Sequence, residues 1–311
     1  MLRYLSLLVV VAVGLPTALG LLAPIAPQLE MANHFRLYLL LGAALLLAFD
    51  LFVRRVRRPW PAIGLVGLNL ALTALPMTSA AVAPLMPSAD GEPMTLVSFN
   101  LWTSGRHADI VRFIEEEAPD VVVLQELRAS HVAELLPRLK TIYPHQAVCA
   151  GCGVALLSKR PLTSVDTSGT LPIVSAIWTS PNGKAYRIAG VHLPWPFMPE
   201  RQAREIDKLI AAINGWSEPR IIAGDFNLTP WSWKLNKLLW QTRLKRHGSF
   251  ERGWPVFRQF KSAGPISQWP LPALLLIDNV LASPEIAAGL FEAGEDLGSD
   301  HLPIVVRMRL P

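Results

Sequence analysis

The chain has 311 residues, 51% of them hydrophobic, with a positive mean hydropathy, which is too apolar for a plain soluble domain. The formal net charge is +5. Six basic residues (Arg3, Arg36, Arg54, Arg55, Arg57, Arg58) and two acids (Glu30, Asp50) fall in residues 1–88, so 29 less 6 leaves 23 basic against 24 less 2, or 22, acidic residues beyond. The remainder is nearly neutral, and composition gives no general polyanion-binding field.

In chain order, Leu5–Ala26 carries no charge, about 36–53 is apolar apart from its terminal arginine and Asp50, and Trp60–Met86 is again uncharged. A crossing needs about 20 apolar residues, so we expect three transmembrane helices forming a membrane anchor over 1–88. Asp50 is placed near a helix end, beside the arginines, because an acid at the bilayer centre costs about 2.5–3.5 kcal/mol. The link after the second span reads RRVRR, whereas the link before it carries only Glu30, His34 and Arg36. Basic loops stay on the cytoplasmic side. The expected topology is therefore a multi-pass protein of the cytoplasmic (inner) membrane, amino terminus inside and residues 89–311 periplasmic or extracellular. A cleaved signal peptide at the first apolar run is the rival reading.

MTSAAVAPLMPSADGEP closes the third span and serves as a short tether. From Met94, strands and helices alternate. TLVSF reads as a buried strand, HADIVRFIEEEA as a helix with Ile110, Val111 and Ile114 on one side, and DVVVLQEL as a second strand after Pro119. Cys149 and Cys152, in VCAGC, lack the further ligands of a zinc site. They are read as structural, either a disulfide across a turn or small loop residues. GVALLSK is a third strand, and AIWTS to AGVHL a hairpin about Asn182-Gly183. PERQAREIDKLIAAINGW is an amphipathic helix, followed by the strands RIIAGDF, LLLIDNVLA and LPIVVRMRL. Mixed strands with a hairpin predict stacked sheets covered by helices.

Six apolar segments have an acid, amide or histidine at their margin: Asn100, Glu126, His192, Asp225 with Asn227, Asp278, and Asp300 with His301. A single strand-end Asp or Asn is ordinary turn chemistry; the repeated selection points to a site. The set GDFN, PDVVVLQE and SDHLPI, in this order, resembles the endonuclease/exonuclease/phosphatase (deoxyribonuclease-like) superfamily from about Met94 to Leu310. That resemblance implies an α/β (α+β) four-layer sandwich, two mixed sheets face to face with helices outside. It also implies metal-dependent hydrolysis of a phosphate ester or anhydride at the edge where the strand ends meet. Glu126 would be the principal ligand of Mg2+ (or Mn2+), with Asn100 and Asp300 close to the ion. Asp225 would orient or deprotonate the attacking water, and Asn227 would donate to a phosphoryl oxygen. His301, held by Asp278, would act as base or hydrogen-bond the phosphate, and His192 would donate a proton.

The substrate is approached through the rim. Trp195, Phe197 and Met198 follow His192, and Trp231, Trp233, Trp240 and Trp254 are interleaved with Lys234, Lys237, Arg243, Lys245, Arg246, Arg252, Arg258 and Lys261. Tryptophan and basic residues together favour a lipid interface. Trp195, Trp231 and Lys234 are the expected substrate-binding residues, and the expected partners are the bilayer and a phosphate-bearing lipid, with no obligate protein partner. A membrane-tethered nuclease is the alternative, since bases stack on the same residue types. A non-catalytic binding module is the third reading.

Overall fold

The computed structural model describes residues 2–78, 91–169, 171, 173–248, 253–256 and 275–311. Three helices are long and apolar enough to cross a membrane: Leu2–Leu21, Arg36–Val53 and Trp60–Met77. The first begins and ends earlier in the chain than the hydropathy limits, and the end of the expected third span lies outside the described residues. Most of their large side chains point outward, Leu8, Leu45, Phe52 and Leu75 among them, as lipid-facing residues do. Polar groups turn inward. Ser6 Oγ donates to Asp50 Oδ1 at 2.6 Å and Arg54 Nη1 to the same oxygen at 2.7 Å, so Asp50 sits at its helix end against an arginine.

The rest of the described chain forms two six-stranded sheets. The first contains β1 (Glu92–Asn100), β2 (Val121–Gln125), β3 (His145–Cys149), β4 (Val154–Ser158), β11 (Ala287–Ala293) and β12 (Ile304–Leu310), in the order β11-β12-β1-β2-β4-β3. The second contains β5 (Leu162–Asp166), β6 (Ile173–Thr179), β7 (Ala185–His192), β8 (Arg220–Asp225), β9 (Lys245–His247) and β10 (Asp278–Ala282), in the order β5-β6-β7-β8-β10-β9. Both sheets are mixed: β1 with β2 and β7 with β8 are parallel, and the other pairs antiparallel. Their inner faces meet through Leu96, Val121, Val123 and Leu156 on one side and Trp178, Ile188, Ile221 and Val280 on the other. Helix His107–Glu117 covers the first sheet through Ile110, Phe113 and Ile114, and helices Pro199–Asn214 and Trp233–Thr242 cover the second through Ile206, Leu209, Leu235 and Leu238. This is the four-layer sandwich. Cys149 and Cys152 are disulfide-bonded across the β3–β4 turn.

Topology gathers the polar strand ends. β1, β2, β7 and β8 finish at one edge of the sandwich, while β10 and β12, antiparallel to β8 and β1, start there. Register places His192 beside Asp225 and Asp225 beside Asp278. Gly224 permits this closeness: its φ is +148°, and a Cβ there would approach Val191 O to 1.9 Å. Gly224→Ala is expected to destabilise the protein by roughly 3 kcal/mol or more, read as a lowered Tm in detergent; an unchanged Tm would contradict the packing described.

Candidate active site

The segment Asp225-Phe226-Asn227 is both a turn and a site. Phe226 is fully buried against the helical layer. Asn227 takes a left-handed backbone (φ 51°) that turns the chain, and its N–H donates to Asp225 Oδ1 at 2.8 Å, closing an Asx turn. Its side-chain amide donates to Leu193 O at 2.9 Å and Asp225 Oδ2 at 3.3 Å. Both amide hydrogens are thereby engaged, so Asn227 braces Asp225, whereas the family resemblance had it donating to a phosphoryl oxygen. Glu126, the residue just past β2, also has a positive φ of 54°, the kind of backbone strain found at functional sites.

These residues form one cluster. Asn100 Nδ2 donates to Glu126 Oε1 at 3.2 Å and to Asp225 Oδ2 at 3.1 Å, tying the two sheets together. Asn100 Oδ1 accepts from Trp102 N at 3.0 Å, which fixes the amide orientation: the cluster meets its NH2, and its oxygen is already taken. His192 Nε2 lies 3.7 Å from Glu126 Oε1 and 3.8 Å from Asp225 Oδ2, beyond hydrogen-bond reach, and is buried without a hydrogen-bond partner among the described residues. His301 Nδ1 donates to Asp278 Oδ2 at 2.9 Å, while Nε2 faces Asp225 Oδ2 at 3.7 Å. Asp300 accepts from Trp254 Nε1 at 3.0 Å. Ser299, not anticipated from the sequence, locks this corner: its hydroxyl donates to Asn100 O at 2.7 Å and receives His301 N at 3.1 Å.

The electrostatics follow from burial. Asp225 is 1% exposed, and loss of solvent raises its pKa to about 6, against the lowering pull of His301 and His192. Burial alone would lower His301, but Asp278 first, then Asp225 and Asp300, reverse this and raise it to about 10. The neighbouring carboxylates thus favour the protonated, hydrogen-bond-donating form of His301. Burial also raises Asp300, opposed by His301 and Trp254 and reinforced by neighbouring Glu126.

The donor set suits a hard cation. Glu126 is partly open, its Oε1 receiving one bond from Asn100, and Asp300 adds a second carboxylate. Mg2+ is commonly held by one or two carboxylates with water completing the shell. No group of three or more His, Cys, Asp or Glu converges as a ready metal cage among the described residues.

A family model described as "Endonuclease/Exonuclease/phosphatase family" matches residues 97–301, which include every residue of this cluster. The chain belongs to the endonuclease/exonuclease/phosphatase family. A comparison with curated proteins finds no match. Among solved structures, the chain is similar to D. rerio TDP2 complexed with single strand DNA product (TM-score 0.57, 17% identity, 70% of this chain and 100% of that one). It is also similar to beta toxin from Staphylococcus aureus with bound magnesium ions (0.54, 17%, 71% and 100%) and to a family member from Bacteroides vulgatus (0.55, 15%, 71% and 100%). At these identities the likeness is one of fold.

The rim needs correction. Trp231 and Lys234, expected to bind substrate, are each 5% exposed: Trp231 holds the anchor, and Lys234 braces the helix Pro199–Asn214. Trp231 Nε1 donates to His34 O at 3.3 Å, and Lys234 Nζ donates to Pro199 O at 3.2 Å and Gln202 Oε1 at 3.0 Å. Beside them, Ser232 Oγ donates to Glu30 and His34 Nδ1 meets Thr229 Oγ1 at 3.2 Å. Burial, then the Lys234 charge, lowers His34 to about 3, so it is neutral. The loop joining the first two apolar helices thus docks directly on the catalytic layer. Glu30 and His34, polar residues in an otherwise apolar stretch, were the sequence signal for it. Arg246 is also buried, donating to Asn279 Oδ1 at 2.7 Å. Trp233 and Trp240 are exposed and line a surface groove with Pro24, Arg243 and Lys245, which includes no member of the cluster; Lys237, in the same groove, pairs with Asp207 at 2.6 Å. Trp195 remains at the site, in edge contact with Trp254 at 5.4 Å. Arg252, Arg258 and Lys261 lie outside the described residues.

Proposed function

We propose that this family member is a membrane-anchored, divalent-metal-dependent hydrolase of phosphoric esters or anhydrides. It faces the outside of the cytoplasmic membrane and acts on a lipid-linked phosphate. The observation that carries the reading is the docking of the 27–34 loop on the catalytic layer through Glu30, His34, Trp231 and Ser232. A site fastened to the head of its own membrane helices meets phosphates at the bilayer surface first.

Mg2+ or Mn2+ held by Glu126, with Asp300 alongside, would neutralise charge on the phosphoryl oxygens. Asp225, oriented by Asn227 and Asn100, takes the proton of the attacking water. His301, kept protonated by Asp278, donates to a phosphoryl oxygen. His192, whose Nε2 has no hydrogen-bond partner among the described residues, would donate to the leaving oxygen. A cleft of about 460 Å3 on the His192 flank, lined by Cys152, Leu193, Trp195 and Arg201, gives the remainder of the substrate room.

Asp225 works only when ionised. Its raised pKa puts the acid limb of kcat/KM near pH 6, the rate rising with pH through it; a limb near 4, the ordinary carboxylate range, would contradict its role. The function is tested by phosphate release from lipid phosphates, nucleotides and DNA by the full chain in detergent with Mg2+, against an EDTA control. Lipid turnover that EDTA abolishes supports the proposal. Faster hydrolysis of DNA would favour the nuclease, and no hydrolysis of any ester would favour a binding module.

A further inference from the structure

An apolar cavity of about 220 Å3 lies between the anchor and the catalytic layer. The anchor contributes Met31, His34, Phe35 and Tyr38; the catalytic layer contributes, among others, Trp195, Phe197, Asn227, Trp254 and Ile277. Three of its lining residues adjoin the catalytic cluster. Asn227 braces Asp225, Ile277 precedes Asp278, and Trp254 donates to Asp300. A chain of rings runs outward from His301: Trp254 at 6.3 Å, Trp195 at 5.4 Å from Trp254, and Phe197 stacked on Trp195 at 6.1 Å. Its outer end is at Phe35 and Tyr38, in ring contact at 6.0 Å where the helix Arg36–Val53 begins. That is the level at which aromatic residues meet the edge of the hydrocarbon layer.

Phe35 and Phe197 remain 42% and 74% exposed, large apolar surfaces facing a cavity beside charged groups. His34 is 3% exposed, and its Nε2 finds no hydrogen-bond partner among the described residues.

We propose that this cavity is a subsite for a single hydrocarbon chain borne on the substrate's phosphate, built jointly by the first turn of the second membrane helix and the catalytic rim. The assignment rests on the hydrolase reading above and narrows its substrate to a single-chain lipid phosphate. The volume holds roughly seven water-sized groups at about 30 Å3 each, the leading carbons of one chain and not of two. The chain enters from the bilayer between Phe35 and Phe197, so its phosphate arrives at Asp225 and His301 without leaving the lipid surface.

The test compares dodecyl phosphate, butyl phosphate and didodecanoyl phosphatidic acid on the full-length protein in mixed micelles with Mg2+. Variants are Phe35→Ser and Phe197→Ser, whose exposed positions spare the fold. The ratio of kcat/KM for dodecyl over butyl phosphate is expected to fall about tenfold in each variant, as loss of a large apolar contact implies. A dodecyl phosphate bearing a terminal diazirine gives a readout independent of turnover. On irradiation it should label the peptides holding Phe35–Tyr38 and Trp195–Phe197, and unlabelled dodecyl phosphate should displace it better than the two-chain lipid. Labelling elsewhere, an unchanged ratio, or equal displacement by phosphatidic acid would overturn the subsite while leaving the hydrolase intact. Hydrolysis of DNA or nucleotides without any lipid phosphate, together with absent labelling, would remove both.

Discussion

Replacing Asp225 by asparagine is expected to lower kcat by roughly 10²–10⁴-fold, the range for loss of a general base, with KM little changed. Asparagine keeps the shape, and its one side-chain oxygen can still accept from Asn227 N, as Asp225 Oδ1 does at 2.8 Å; its NH2 replaces Oδ2, which accepts from Asn100 Nδ2 at 3.1 Å, so that bond is lost. It also loses the ability to take a proton. The substitution also removes a buried carboxylate that desolvation already disfavours, which offsets the lost bond of about 1 kcal/mol, so Tm should change little. Stopped turnover with an intact Tm separates a catalytic role from a structural one. Full activity in the asparagine variant would remove Asp225 from the chemistry.

The second large effect concerns Glu126. Glu126→Gln keeps a side-chain oxygen for Asn100 Nδ2 but removes the charge that attracts a divalent cation. The activity is expected to fall by roughly 10³-fold, and the Mg2+ concentration for half-maximal rate to rise, because a hard cation at this oxygen-donor site depends on carboxylate charge. Excess Mg2+ should restore part of the rate; Asp225→Asn should show no such rescue. Identical responses of the two variants to Mg2+ would contradict their separate assignments.

The difference between what the sequence disclosed and what it hid has a physical basis. The eight inner strands, β1, β2, β4, β6, β7, β8, β10 and β12, are flanked on both sides within their sheets and largely buried, so they stand out as apolar runs. The four strands not recognised are the sheet edges, β3, β5, β9 and β11. β5 is largely exposed, β9 has three residues, and β11 carries a register shift between Ala288 and Phe291. Each of these weakens the periodic signal. The cluster was legible because inner strands ending at one edge must change abruptly from apolar to polar there. Trp231 and Lys234 were misread because composition cannot reveal a partner distant in the chain: the neighbouring Ser232 bonds Glu30 across 202 positions. A tryptophan beside a lysine looks the same in sequence whether it meets lipid, substrate or a loop of its own anchor. Asn100 and Asn227 both lie in the cluster, but the direction of an amide is set by its local bonds, here to Trp102 N and Leu193 O.

The account stands on one divalent cation collecting at Glu126 beside Asp225 and His301. Anomalous diffraction from crystals of the full chain grown with Mn2+ locates it directly. The expected result is a peak roughly 2.0–2.3 Å from a Glu126 carboxylate oxygen, absent from the Glu126→Gln protein. A peak bound elsewhere with the Glu126 carboxylate free of metal, or an undiminished peak in Glu126→Gln, would contradict it.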